Sequence, residues 1–130
     1  MYKLQQLDKK TDHRGWLIEL LRPENLKKKK FGQIYLIKFK QAKTRGGHYH
    51  LRKEEWFFVL EGKVEFELID LKSRKAEKVL ISDKLKQAIN VPSKIIHYLH
   101  NKSVGKALVL AYIDESFDPK DTDTYYLDKR

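Results

Sequence analysis

The sequence predicts an all-β fold, a sandwich or small barrel of about ten short strands. Three observations carry the prediction. No apolar pattern of helical period runs for more than about two turns. β-Branched and aromatic residues instead gather in short runs, each closed by turn residues. The clearest run, Lys63–Leu71 (KVEFELIDL), alternates: Val64, Phe66 and Leu68 share one face, and Glu65, Glu67 and Ile69 the other.

Taken in order, the expected strands begin with Tyr2–Leu7 and Trp16–Leu21. The segment Arg22-Pro23-Glu24-Asn25 and the lysine run Lys27–Lys30 then read as a solvated loop. Gln33–Lys40 follows, with Lys38 and Lys40 on a solvated face. In Gly46–His50 the paired glycines allow a bulge or a close backbone approach. Glu55–Leu60 and Lys63–Leu71 form a hairpin turned at Gly62. Lys78–Ile81 ends at the turn Ser82–Lys84, and Lys86–Val91 and Ile95–His100 come next. Asn101–Lys106 is a turn leading to Ala107–Ile113. The tail ESFDPKDTDTYYLDKR is polar and Asp-rich, so it should wrap the surface, with Tyr125 and Tyr126 packing on the body or on a partner subunit. No Pro/Gly/Ser-rich linker divides the chain. It reads as one domain over residues 1–130: N-terminal strands in 1–21, a core over about 33–113 and a tail over 114–130.

Composition narrows the function. There are no cysteines among the 130 residues, which excludes disulfides, thiolate metal sites and cysteine nucleophiles and fits a reducing cytoplasm. No apolar run approaches the roughly 20 residues of a membrane helix, and the N-terminus lacks the apolar centre of a signal peptide. The balance of 28 Lys+Arg to 18 Asp+Glu, a formal +10, attracts polyanions. A nucleotide diphosphate fits that charge. Nucleic acid fits it less well, because the repeated aromatic–basic interleaving of a single-strand binder is absent.

The chemistry concentrates in TRGGHYHLRKEEWFFVLEGK, Thr44 to Lys63. In a strand the i, i+2 spacing puts His48 and His50 on one face, as two ligands of one metal require. A carboxylate follows, Glu54 or Glu55, and VPSKIIHYLHN supplies His97, with His100 pointing to the opposite face from His97 and Leu99. Histidines with a carboxylate and open positions suit zinc first, and iron, nickel or manganese as well. Reading from His48, the order is H-x-H, four residues, Glu55, six residues, Gly62; later come Pro92, four residues, His97, three residues, Asn101. These are the two motifs of the cupin superfamily, which the chain resembles from about Gln33 to Ile113. The resemblance implies a double-stranded β-helix, the cupin jelly-roll barrel, with His48, His50, Glu55 and His97 pointing inward at a divalent metal. Two positions depart from the pattern: Lys94 and Ala42 stand where the family has glycines.

Flanking segments narrow the resemblance. Asp12-His13-Arg14-Gly15-Trp16-Leu17-Ile18-Glu19 and Arg45-Gly46-Gly47-His48-Tyr49 look like segments of the deoxysugar 3,5-epimerases. Ser116-Phe117-Asp118-Pro119 and Asp123-Thr124-Tyr125 look like the tail of the cupin domain attached to capsular-polysaccharide reductases. The chain therefore resembles cupins acting on nucleotide-linked keto sugars, the epimerases and 3,4-ketoisomerases among them. Plain epimerases usually carry Gln at the position of His50 and use no metal, so His50 and Glu55 place the chain nearer the capsule type.

That resemblance implies an isomerase of cell-surface polysaccharide synthesis, moving a proton beside the ketone of a nucleotide-linked 4-keto-6-deoxyhexose. The chemistry needs a base, an acid and a stabiliser of the enolate oxygen. By resemblance His48 is the base, but a lone pair given to a metal cannot also take a proton, and the two roles compete. With a metal present, His100 or a tyrosine becomes the candidate base. Tyr112 is the candidate acid, with Tyr98 and Tyr35 as further candidates. Arg45 and Arg14 are candidate sugar or diphosphate contacts. Exposed sheet edges suggest a two-fold homodimer. A non-catalytic metal- or sugar-binding module, and a metal-dependent oxygenase or small-acid isomerase, are the alternatives on the same scaffold.

Overall fold

The structure, a computed structural model, describes residues 1–84 and 87–127. The expected strand start at Lys86 and the last three tail residues lie outside the described residues. The elements are β1 (Lys3–Gln6), β2 (Lys9–Asp12), β3 (Gly15–Ile18), a 3₁₀ turn (Pro23–Asn25), β4 (Gln33–Phe39), β5 (Thr44–Tyr49), β6 (Glu55–Glu61), β7 (Lys63–Asp70), β8 (Ala76–Ser82), β9 (Gln87–Val91), β10 (Ile95–Asn101), β11 (Ala107–Ile113) and β12 (Tyr125–Tyr126). No helix among the described residues is long and apolar enough to cross a membrane.

Ten of these strands form two five-stranded antiparallel sheets, in the orders β1-β9-β6-β11-β4 and β12-β5-β10-β7-β8. The two sheets make the expected double-stranded β-helix. Alternation decides what lies between them. Val64, Phe66 and Leu68 of β7 are fully buried and meet Phe57, Ile89, Leu99 and Val109. The outer face of the first sheet has its own apolar cover. Trp56, Phe58 and Tyr112 lie there beneath Leu20, Leu21 and Leu26, which follow β3 without continuing it.

Two strands were not expected. Lys9–Asp12 (KKTD) has no apolar alternation and is exposed throughout; it pairs with β3 alone as a separate ribbon. Tyr125–Tyr126 is two residues long and is defined by its pairing with β5, a contact across more than seventy residues of sequence. Where glycines depart from the cupin pattern, the backbone keeps the glycine conformation: Ala42 has φ 62° and Lys94 φ 66°.

Candidate functional site

Strand pairing brings the histidines together. β5 and β10 are neighbours, and His48 lies opposite His97. Just before His48 the register slips: Tyr98 pairs with Gly46, so Gly47 is an extra residue, the bulge expected from the glycine pair. Gly46 has φ 97°, and a Cβ there would sit 2.5 Å from the carbonyl oxygen of His97. Only glycine lets the two strands meet this closely. Glu55 opens β6 in the facing sheet and reaches across to the same point. One ligand atom from each of His48, His50, Glu55 and His97 lies within 4.8 Å of the others. The ring centroids are 4.6 Å apart for His48 and His97, 5.5 Å for His48 and His50 and 5.8 Å for His50 and His97. His50, Glu55 and His97 are buried; His48 is half-buried at the mouth.

Proton positions follow from the partners. His50 Nδ1 lies 2.7 Å from the carbonyl oxygen of Asp123, and His97 Nδ1 lies 3.2 Å from that of Ile95. A carbonyl only accepts, so both Nδ1 atoms donate. In neutral rings both Nε2 atoms are then lone pairs. They face the same carboxylate oxygen: Glu55 Oε1 is 2.7 Å from His50 Nε2 and 3.3 Å from His97 Nε2. Among the described residues the buried His97 Nε2 has no hydrogen-bond partner. Lone pairs and an anion converging on one point leave room for a cation there. A proton on His50 fills part of that role. Burial alone would lower the His50 pKa, but the hydrogen bond and charge of Glu55 outweigh it and raise the pKa. Burial likewise would raise the Glu55 pKa, yet the pull of His50 and His97 holds the carboxyl well below the usual carboxylate range. The unsatisfied Nε2 of His97 and the fixed Nδ1–H groups fit a divalent cation, with backbone carbonyls as the outer shell that orients the ligands.

The cluster opens to solvent on two sides. A cavity of about 510 Å³ holds His48, His50 and Glu55 beside Lys53, Thr122 and Thr124. A second, of about 310 Å³, holds His48 and His97 beside Arg45. Tyr35, His48 and Tyr126 line both. The Tyr35 hydroxyl donates to Glu55 Oε2 at 2.5 Å, and burial, with the Glu55 charge added, pushes the Tyr35 pKa strongly upward. Tyr126 meets His48 edge-on at 5.7 Å.

Several expected residues lie elsewhere. His100 is on the outer face of β10, between Thr44 Oγ1 at 2.7 Å and Glu67 Oε1 at 2.9 Å, with Tyr98 stacked beside it. As a base for this cavity it is displaced, because His97 and Leu99 take the inward positions. Tyr112 is also displaced. The small residues Ala107, Val109 and Ala111 face the core, so Tyr112 points outward under Phe31 and Trp56, and its hydroxyl accepts from the Gly32 amide at 2.9 Å. Tyr35 takes the inward place instead. Arg14 lies on the exposed β2–β3 turn, paired with Asp12 at 2.6 Å and apart from the cluster. Of the two carboxylates, Glu54 accepts from Asn90 outside the site. Asp123 was read only as part of a tail motif. An isolated Asp in a polar tail carries no local signal of the contact it makes with His50.

A family described as "Polysaccharide biosynthesis C-terminal domain" matches residues 10–125. The chain is 26% identical over 115 residues to the UDP-2-acetamido-2,6-beta-L-arabino-hexul-4-ose reductase of Pseudomonas aeruginosa, covering 88% of this chain and 30% of that protein. It therefore spans about a third of that curated relative. Among solved structures, a 3,4-ketoisomerase from Helicobacter canadensis superimposes with a TM-score of 0.81 at 23% identity, over 95% of this chain and 89% of that one. The dTDP-6-deoxy-D-glucose-3,5-epimerase of Legionella pneumophila, in complex with dTDP-4-keto-L-rhamnose, does so with a TM-score of 0.82 at 17% identity, over 96% and 71%. These two likenesses concern the fold.

Proposed function

Because the chain belongs to the polysaccharide biosynthesis C-terminal domain family, we propose that it is a metal-dependent isomerase of nucleotide-linked 4-keto sugars, moving a proton at the carbon beside the ketone. One observation carries the reading: three imidazoles, one carboxylate and a tyrosine hydroxyl converge between two open cavities that share Tyr35 and His48. The curated relative is named for a UDP-linked hexul-4-ose and the epimerase was solved with a dTDP-linked 4-keto sugar, which supports the substrate class.

His50, Glu55 and His97 would hold the divalent cation, zinc by the donor set. Bound there, it supplies Lewis-acid polarisation of the keto oxygen. His48, half-buried and lining both cavities, takes the proton from the carbon, and the C–H electrons become the enolate. Tyr35 lines both cavities and is the candidate to return a proton to carbon. Burial and Glu55 keep it protonated but make it a weak acid, so the role requires its hydroxyl to be released from Glu55 once that carboxylate turns to the cation. Arg45, which lines the second cavity with His48, would meet the diphosphate. A second reading makes His48 a fourth ligand, favoured by the common 4.8 Å separation.

Incubation of zinc-loaded protein with a nucleotide-linked 4-keto-6-deoxyhexose in D₂O tests the function. Deuterium should enter beside the ketone, and absence of exchange at full metal loading overturns the proposal. His48→Ala decides between its two roles: a base leaves the metal content intact and abolishes exchange, whereas a ligand lowers both. Tyr35→Phe should slow exchange without loss of metal.

A further inference from the structure

We infer that Asp123 is a positioning residue of the cation centre, and that docking of the C-terminal tail and cation affinity are two readings of one equilibrium. The inference rests on the proposed centre and adds the control of that centre by the C-terminal tail. Asp123 is 4% exposed, although Lys120, Asp121, Tyr125 and Tyr126 around it are exposed. Its carboxylate closes over the turn between β5 and β6. Oδ1 accepts the amide of Leu51 at 3.0 Å, and Oδ2 accepts those of Arg52 at 3.0 Å and Lys53 at 2.9 Å. Three successive amides aimed at one point form an anion-binding concavity. Here the anion comes from the chain itself.

The same residue turns its carbonyl the other way, onto His50 Nδ1 at 2.7 Å. This needs an unusual backbone: Asp123 has φ 45°, in the left-handed region that Asp and Asn tolerate better than most residues. Flanking ties hold the arrangement on both sides. Lys53 Nζ donates to the Thr122 carbonyl at 3.0 Å, and the Leu127 amide donates to the Gly47 carbonyl at 3.0 Å. Residues 122–127 therefore bridge the Gly47 bulge and the 51–53 turn, the two features on either side of His50.

Undocking the tail strips His50 Nδ1 of its acceptor. The ring is then free to exchange tautomers and rotate, and its Nε2 lone pair is no longer held on the cation position. Such outer-shell partners of a ligating histidine are worth about 10- to 100-fold in metal affinity. Linkage is reciprocal, so a bound cation must favour tail docking by the same factor.

The test uses the full chain and Co²⁺ alone, with affinity measured by competition against a chromophoric chelator. Cobalt's visible ligand-field bands report the geometry of the centre, and amide hydrogen exchange reports the tail. Wild type should bind one equivalent. Asp123→Ala should bind about 10- to 100-fold more weakly with altered bands. Asp123→Asn, whose amide oxygen still accepts from Arg52 and Lys53 and whose backbone tolerates the left-handed φ, should recover part of the loss. It carries the test if the alanine variant fails to fold by circular dichroism. In wild type, Co²⁺ should slow exchange at Leu51, Arg52, Lys53 and Leu127. Unchanged affinity and bands in the folded variants, or no Co²⁺-dependent protection of those amides, overturns the coupling while leaving the cation centre standing. No Co²⁺ binding by wild type overturns the centre and the coupling with it.

Discussion

Replacing Ala42 and Lys94 by glycine should stabilise the protein. Both residues hold positive φ, 62° and 66°, and both side chains are exposed, so no core contact is lost. The Lys94 backbone is held on both sides: its amide donates to the His50 carbonyl at 2.6 Å and its carbonyl accepts from Leu71 at 3.0 Å. An L-residue in this region costs about 1–2 kcal/mol. Glycine removes that cost but adds freedom to the unfolded chain, which takes back about 0.4–1 kcal/mol. The net gain is about 0.5–1 kcal/mol per site, and two sites without shared partners add to about 1–2 kcal/mol. An unfolding entropy of about 2.1 cal/mol/K per residue gives about 0.27 kcal/mol/K for this chain, so the double variant should melt about 4–7 °C higher. Thermal unfolding is best followed by circular dichroism in excess chelator, because bound cation shifts Tm by mass action. An unchanged or lower Tm in both single variants refutes the assignment of strain to these positions.

Gly46→Ala should do the opposite: a methyl group 2.5 Å from the His97 carbonyl forces β5 and β10 apart, lowering stability by at least about 1–2 kcal/mol and bound metal with it, as elemental analysis would show. His100→Ala and Tyr112→Phe should leave metal content unchanged, since both side chains lie outside the barrel; loss of metal from either refutes that placement. Glu115 ties the lysine loop to the turn after β5. Hydrogen bonds from Arg52 and then Lys28 hold its pKa at about 2 rather than 4.5. Its folded value is the depressed one, so the tie stabilises fully above about pH 4.5 and is lost as pH falls toward 2. Glu115→Gln should therefore flatten the acid limb of a stability–pH curve in that window, by an amount kept small by solvent screening.

The cluster of His48, His50, Glu55 and His97 was legible from two sources, strand geometry for the histidine pair and the cupin motifs the chain resembles for Glu55 and His97. An i, i+2 pair must share a face, and the later His97 falls on the neighbouring strand. The tyrosines were not legible in the same way. Tyr112 is the candidate acid only through the resemblance, yet the small residues of β11 at 107, 109 and 111 already fix the inward face and send Tyr112 out. Tyr35 on β4 meets Glu55 of β6 over the intervening strand β11 of the same sheet, a relation between strands that no local pattern encodes. β2 has four polar residues and gains its strand character only from β3, while β12 exists because β5 is there to pair with it. The expected bulge, in contrast, was written locally, since adjacent glycines permit what Cβ atoms forbid.

The two buried histidines are oriented by main-chain oxygens, those of Ile95 and Asp123. A main-chain acceptor survives any point substitution that leaves the path of the chain intact. At Ile95 the tautomer is thus insulated from a change of side chain, whereas at Asp123 it holds only while the carboxylate keeps the tail docked. Apart from Asp123, variants of this chain can therefore change side chains around the two histidines without losing the acceptors that orient them. What they must preserve is the course of the backbone at two places, the entry to β10 and the docked tail, and a designer grafting this centre onto another barrel would have to carry both.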